Sequence, residues 1–329
     1  MSRDLVLTRA PTTGWLNPGG MVLAAWLALV ALTFADWREM AHQWWDIDTY
    51  SHILLVPPIV AWLTWLRRDE LAQLPAVGWW PGLVWTLFGL AVWLAGRFAD
   101  INTISQGGAV LALQGAVLAI LGLRAGLVLA FPLAYLLVLV PFGGEFIPAL
   151  QMITAEIATA LTRLSGIETV AAGIHIDTPA GLFIVAEECS GVKFLIAMLA
   201  LGLLVAHSCF SSWSRRCWFL LACVVVPIVA NGIRAWATIF IAQYVGAEAA
   251  GSFDHIVYGW FFFGIVIAIV LGVAWRWFER DPEEAGWSAA DVAAMPLVRR
   301  FEVSTGRPAL TFGAVLAAAL VFAVLARLV

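Results

Sequence analysis

Apolar residues along this chain gather into long runs separated by short polar stretches. Nine of the runs approach the ~20 residues with which an α-helix crosses a bilayer. They lie at about 17–35, 52–66, 79–96, 103–122, 125–142, 190–207, 216–244, 256–277 and 308–327. The pattern predicts an all-α polytopic membrane protein with about nine transmembrane helices. The second run is short and carries Pro57-Pro58, so its first turn is expected to be irregular. The seventh is long and holds Pro227, Asn231, Gly232 and Arg234, which predicts a kink.

The longest segment that does not read as a span runs from Gly143 to Glu188, between the fifth and sixth runs. From Phe146 to Leu164 its apolar residues recur at helical spacing: Ile147, Leu150, Ile153, Ile157, Leu161 and Leu164. That predicts an amphipathic helix lying at the outer interface. The rest reads as a short hairpin, with arms from Thr169-Val170 to Ile176 and from Leu182 to Ala186 around Thr178-Pro179-Ala180-Gly181. Residues 278–307 are charged and contain proline, and read as a linker.

Composition strengthens the class. Of 329 residues 62% are hydrophobic and 12% charged, about half the charged share of an average soluble domain, and mean hydropathy is +0.92. The net charge of −4 says little about partners, and no nucleic-acid partner is expected; what matters is the side on which charge falls. Lys and Arg favour cytoplasmic loops. With Arg3 and Arg9 inside, those loops hold Arg67-Arg68, Arg124, Arg215-Arg216 and the arginines from Arg276 to Arg307. The opposite loops are mainly acidic or neutral, with Arg38, Arg97 and Arg163 as exceptions. Nine spans then leave the C-terminus outside. The segment from Met1 to Pro18 does not read as a cleavable signal peptide, so the first run is expected to stay as an anchor.

Three residues carry candidate chemistry. Cys189 follows Glu187 and Glu188 and opens the sixth run, Arg234 lies in the outer half of the seventh, and His255 opens the eighth. Topology alone would bring this thiol, guanidinium and imidazole to one face. Each has a plainer reading: a small buried hydrophobe, a snorkelling anchor, a hydrogen-bonded interfacial histidine. Against these, Cys189 is the one cysteine expected outside, since Cys209 and Cys217 fall in or near a cytoplasmic loop and Cys223 within a span. It therefore has no outer disulfide partner. A charge as deep as Arg234 costs about 3 kcal/mol on insertion, and Asn231 sits one turn earlier on the same face. Glu187 and Glu188 disfavour a thiolate unless a cation such as Arg234 offsets them. His52 reaches the same side and competes with His255. A metal site built from His52, His175, His255 and Glu187 or Glu188 lacks the His-Glu-x-x-His spacing, and neither metal nor other cofactor is expected. A non-enzymatic transporter or assembly scaffold would use Arg234 as a substrate or ion contact, though no internal repeat supports a transporter.

At these residues the chain resembles the exosortase/archaeosortase family of membrane cysteine peptidase-transpeptidases. The matching pieces are Cys189-Ser190-Gly191 opening one span, Asn231-x-x-Arg234 within the next, and His255 with Gly259 four residues later. Tyr50-Ser51-His52, followed by Pro57 and a Trp-rich span ending at Arg67-Arg68, adds a fourth. The resemblance covers about residues 45–278. It implies an exosortase-like transmembrane catalytic domain over 1–277; the cytoplasmic linker over 278–307 and the additional C-terminal transmembrane helix over 308–329, read from charge and hydropathy, fall outside the shared core. It also implies substrates: membrane-anchored exported proteins with a C-terminal Pro-Glu-Pro-type (PEP-CTERM-like) sorting signal, a transmembrane helix and a basic tail. Cutting would take place at the periplasmic face of a bacterial inner membrane, alongside exopolysaccharide and cell-surface assembly. In those roles Cys189 is the nucleophile, Arg234 stabilises thiolate and oxyanion, and His255 is the general acid/base. Asn231, Glu188, Ser190, Gly191 and His52 stand in support, and the acceptor, water or an amine, stays open.

Overall fold

The computed structural model describes residues 17–247, 250 and 259–327. Its helices are, in chain order, α1 (Pro18–Leu32), α2 (Phe34–Asp46), α3 (Val56–Leu66), α4 (Arg68–Ala72), α5 (Trp80–Phe98), α6 (Asn102–Leu121), α7 (Leu123–Val128) and α8 (Ala130–Tyr135). They continue with α9 (Ile147–Leu164), α10 (Val192–Cys209), α11 (Trp213–Val245), α12 (Gly259–Ala274), α13 (Ala289–Ala294), α14 (Pro296–Phe301) and α15 (Pro308–Leu325). The short strands among the described residues are β1 (Gly78–Trp79), β2 (Val170–Ala172), β3 (His175–Thr178), β4 (Gly181–Ile184) and β5 (Thr305–Gly306).

The chain is an all-α polytopic membrane protein. Among the described residues six helical segments are long and apolar enough to cross a membrane, and three bent pairs bring the number to as many as nine. The bends explain why. α1 meets α2 at 87° beside Thr33, whose hydroxyl donates to the Leu29 carbonyl (2.9 Å), a back-bond that bends helices. The fifth run breaks before α9 at Gly143, which adopts φ +104°. The third break falls between residues 277 and 282. Pro57-Pro58 do leave an irregular entry: residues Asp48–Leu55 form a 3-10 helix, and the prolines enter the first turn of α3, where their missing N–H groups cost nothing. α11, by contrast, runs unbroken through Pro227.

The chain divides into two compact units. The first joins residues 1–40, 58–140 and 287–329. Its centre is the α5–α6 pair, whose seam of Gly82, Gly89, Gly96, Gly108 and Gly115 brings backbone against backbone. A Cβ at Gly89 would stand 2.4 Å from the Ala112 nitrogen, and one at Gly108 would stand 2.2 Å from that of Trp93. Such contact replaces the hydrophobic drive that lipid withholds. α1 and α15 pack on this pair through Ala25, Leu29, Val315 and Ala319. Asp36, only 4% exposed, accepts hydrogen bonds from Trp93 Nε1 (2.9 Å) and Ser105 Oγ (2.6 Å). The stretch read as a linker is folded from residue 287 onward. Val292 and Val298 pack with Val128, Arg124 pairs with Glu302, and β5 lies antiparallel to β1 with Thr305 opposite Trp79.

The second unit comprises residues 41–57 and 141–286. The amphipathic helix is there as α9, but its expected apolar stripe is not the buried face. Of that stripe only Leu150 is buried; Ile153 is exposed and Leu164 is 83% exposed. The inward face is instead Thr154, Ala155, Ala158, Thr159 and Thr162, packed closely on α11. In a lipid surround, large apolar side chains gain nothing by turning inward, while small ones let helices approach. The hairpin turns between Thr178 and Gly181 as expected, and its first arm is itself folded at Gly173 (φ +60°), giving the antiparallel order β2–β3–β4. Fully buried Ile176 anchors this meander against Ala155, Ala158 and Ile239.

At the α10–α11 corner, Glu279 accepts from the backbone nitrogens of Ser211 (2.7 Å) and Ser212 (2.8 Å) and pairs with Arg215 (2.9 Å). Its own nitrogen donates to the Cys209 carbonyl. The Ser212 N–H above all holds this carboxyl below the usual carboxylate range. The segment after α12 is thereby tied to the corner joining α10 and α11.

Candidate active site

Cys189 does not lie in α10 but in the 3-10 turn Glu187–Cys189 just before it. The turn ends at Ser190, and Gly191, with φ +82°, caps α10. A left-handed residue there redirects the chain and lifts the thiol off the helix barrel. Cys189 is half-buried, at the edge of the cluster formed by Ile176, Val185, Ala155 and Ala158 with Ala235 and Trp236 of α11. Those two residues directly follow Arg234.

Asn231 holds the turn in place. It is 1% exposed, and its Nδ2 donates to the Cys189 carbonyl (2.8 Å) and to Thr154 Oγ1 of α9 (3.0 Å). Thr154 in turn donates to the Ser190 carbonyl (3.4 Å). The carbonyl can only accept, which fixes the amide's orientation. Its Oδ1 is buried and finds no hydrogen-bond partner among the described residues. A buried acceptor left in that condition costs free energy and is characteristic of functional sites.

Arg234 lies one turn beyond Asn231 on α11, 8% exposed, with its guanidinium 5.6 Å from the ring centroid of Phe194. Phe194, five residues past Cys189, stacks at 4.9 Å on Phe263 of α12. Three helices thus meet around the arginine. Glu187 and Glu188 are both exposed, and Ser190 is buried with its Oγ accepting from Val192 N. His52 stands half-buried in the 3-10 helix that packs on α10, and its Nε2 is buried with no hydrogen-bond partner among the described residues. Tyr50, two residues earlier, packs with Leu150, Val192 and Ile196. His175 is exposed on β3. His255 lies outside the described residues; Gly259, four positions on, begins α12.

The arrangement joins the Cys189 turn to Asn231 by a direct hydrogen bond, and Arg234 follows Asn231 one turn later on α11. Sequence reasoning missed Thr154 and Phe194. A threonine among small residues on α9 was the available signal, masked by the larger apolar stripe around it.

The geometry explains the glycine in Cys-Ser-Gly. A Cβ at Gly191 would stand 2.7 Å from Asn231 Cγ, and the positive φ adds strain of about 1–2 kcal/mol for any L side chain. Gly191→Ala is therefore expected to push Asn231 off the Cys189 carbonyl and lower the thermal midpoint of purified protein by several degrees. An unchanged midpoint would refute that close contact.

No curated protein and no solved structure matches the chain. A family model described as Transmembrane exosortase matches residues 44–272, well over half of the sequence. With that match over the segment that carries Cys189, Asn231 and Arg234, the chain belongs to the transmembrane exosortase family.

Proposed function

We propose that this protein is a membrane-embedded cysteine peptidase-transpeptidase that cleaves C-terminal PEP-CTERM-like sorting signals of exported proteins at the periplasmic face of a bacterial inner membrane. The observation that carries the reading is the Asn231–Cys189 hydrogen bond, one helical turn from a buried arginine. It supports a thiol held in register with a fixed positive charge, the environment in which a cysteine becomes nucleophilic.

In this reading the Cys189 thiolate attacks the scissile carbonyl carbon, and the carbonyl π pair moves onto oxygen. Arg234 faces that oxyanion and stabilises it. Collapse expels the C-terminal fragment as an amine, protonated by the general acid, and leaves a thioester on Cys189. Water or an acceptor amine, deprotonated by the same group now acting as base, attacks the thioester and returns the thiolate. His255 takes the acid/base role, and His52, on the segment packed against α10, is its competitor. The bilayer confines enzyme and substrate helix to two dimensions, which supplies much of the positioning.

The test is co-expression with a single-span protein carrying a Pro-Glu-Pro-type C-terminal signal, followed by acid quench and mass spectrometry of the Cys189 peptide. A shortened substrate, together with a hydroxylamine-labile adduct on Cys189, is the expected result. Processing without any such adduct, even when turnover is slowed by acid/base variants at His255 and His52, would sink the thioester mechanism.

A further inference from the structure

Cys189 is carried by the turn before α10, yet much of what holds that turn comes from α9. Gln151 Nε2 donates to the Val185 carbonyl (2.8 Å), four residues before the thiol. Thr154 Oγ1 donates to the Ser190 carbonyl, one residue after it. Positions three apart share a helix face, so one face of α9 grips the chain on both sides of Cys189. The same Thr154 hydroxyl accepts from Asn231, giving a directed relay from the Asn231 amide through Thr154 to the Ser190 carbonyl.

Resting on the reading of Cys189 as nucleophile, we propose that Thr154 is a positioning residue: its hydroxyl couples α9 to Asn231 and fixes where the thiol stands relative to Arg234. Only a group that both accepts and donates fits the relay. Thr154 is 1% exposed, so no bulk water substitutes for a lost partner. Valine preserves shape and removes both bonds. Serine loses a methyl group and keeps both. The hydrogen bonds of this grip come from the polar positions Gln151 and Thr154 of α9.

The experiment uses full-length protein in which Cys209, Cys217 and Cys223 are replaced by alanine, leaving Cys189 as the sole thiol. Two quantities are read: the rate of alkylation of Cys189 by iodoacetamide across pH 6–9 in membranes, which needs no substrate, and the processing rate of the co-expressed signal-bearing protein. Thr154→Val is expected to slow processing by about 10- to 100-fold, the range a displaced reacting group produces, and to alter the alkylation pH profile. Thr154→Ser is expected to restore both to within about threefold. Gln151→Leu, which releases the other side of the turn, is expected to move both readouts in the same direction as Thr154→Val. The proposal is overturned if Thr154→Ser falls as far as Thr154→Val, since packing would then suffice. It is equally overturned if Thr154→Val leaves the alkylation profile unchanged. Should the parent of this series process substrate just as well when Cys189 itself is alanine, the peptidase reading fails instead, and the alkylation comparison still judges the brace.

Discussion

Cys189→Ala is expected to abolish processing of a signal-bearing substrate, and Arg234→Gln to slow it by about 100- to 1000-fold at equal membrane abundance. The first removes the attacking atom, and no other cysteine lies near the turn that carries it; Cys223, for example, is buried on the inner face of α11 among Phe219 and Val270. The second removes the charge and leaves only a shorter, neutral N–H donor. Arg234 is almost wholly enclosed and lies over the Phe194 ring. In so little water its field on a developing oxyanion is strong and cannot be replaced by solvent. Arg234→Lys is expected to recover little, because an ammonium cannot present the planar fork and gives up much of the stacking on Phe194. Quantifying the shortened substrate against time by immunoblot checks all three. Processing by Arg234→Gln within threefold of wild type would remove the arginine from the mechanism.

The largest expected effect on stability lies at Asp36. Its carboxylate accepts from the Trp93 indole and the Ser105 hydroxyl, tying α2 to both α5 and α6 in a region sealed from water. Asp36→Ala leaves the buried Trp93 indole N–H without an acceptor, at about 1–3 kcal/mol, and leaves the Ser105 hydroxyl only the Asn102 carbonyl (3.0 Å). Asp36→Asn keeps one acceptor oxygen and turns an N–H toward the other donor, so an intermediate loss is expected. Thermal unfolding of detergent-solubilised protein, followed by tryptophan fluorescence, should rank wild type above Asn and Asn above Ala. Equal midpoints for wild type and Asp36→Ala would show that the pairing contributes nothing net.

Much of this fold could be read from runs of apolar residues, because a bilayer imposes one length and one secondary structure. Pro57-Pro58 marked an irregular entry, and Thr178-Pro179-Ala180-Gly181 marked a turn, for local reasons that survive any tertiary context. The facing of α9 could not be read the same way. Periodicity locates a stripe, but whether the stripe faces protein or lipid depends on what surrounds the helix, and here Thr154 and Ala158 turn inward while Ile153 turns out. The bends after Leu32 and near Gly143 were hidden because composition counts residues and ignores direction. At the site, Asn231 and Arg234 stood out as polar residues in an apolar run, and their link to Cys189 is a matter of registry between helices that no single run contains. Residues 278–307 read as a linker because they are charged and contain proline; the order from 287 onward comes from distant partners, Arg124 with Glu302 and β1 with β5.

Those partners also bear on where the chain can be shortened. The matched family region ends at residue 272, and a chain trimmed near that point keeps every matched residue. It would nonetheless pull Val315 and Ala319 away from the α1–α6 contact, strand β1 without a partner and leave Arg124 without its carboxylate. The uncovered surface would be an apolar strip rich in alanine and leucine, Ala25 and Leu29 among them, which in a membrane invites a second copy of the same protein to fill it. Kinship and self-sufficiency thus have different borders here, and the minimal folding piece is longer than the minimal homologous one.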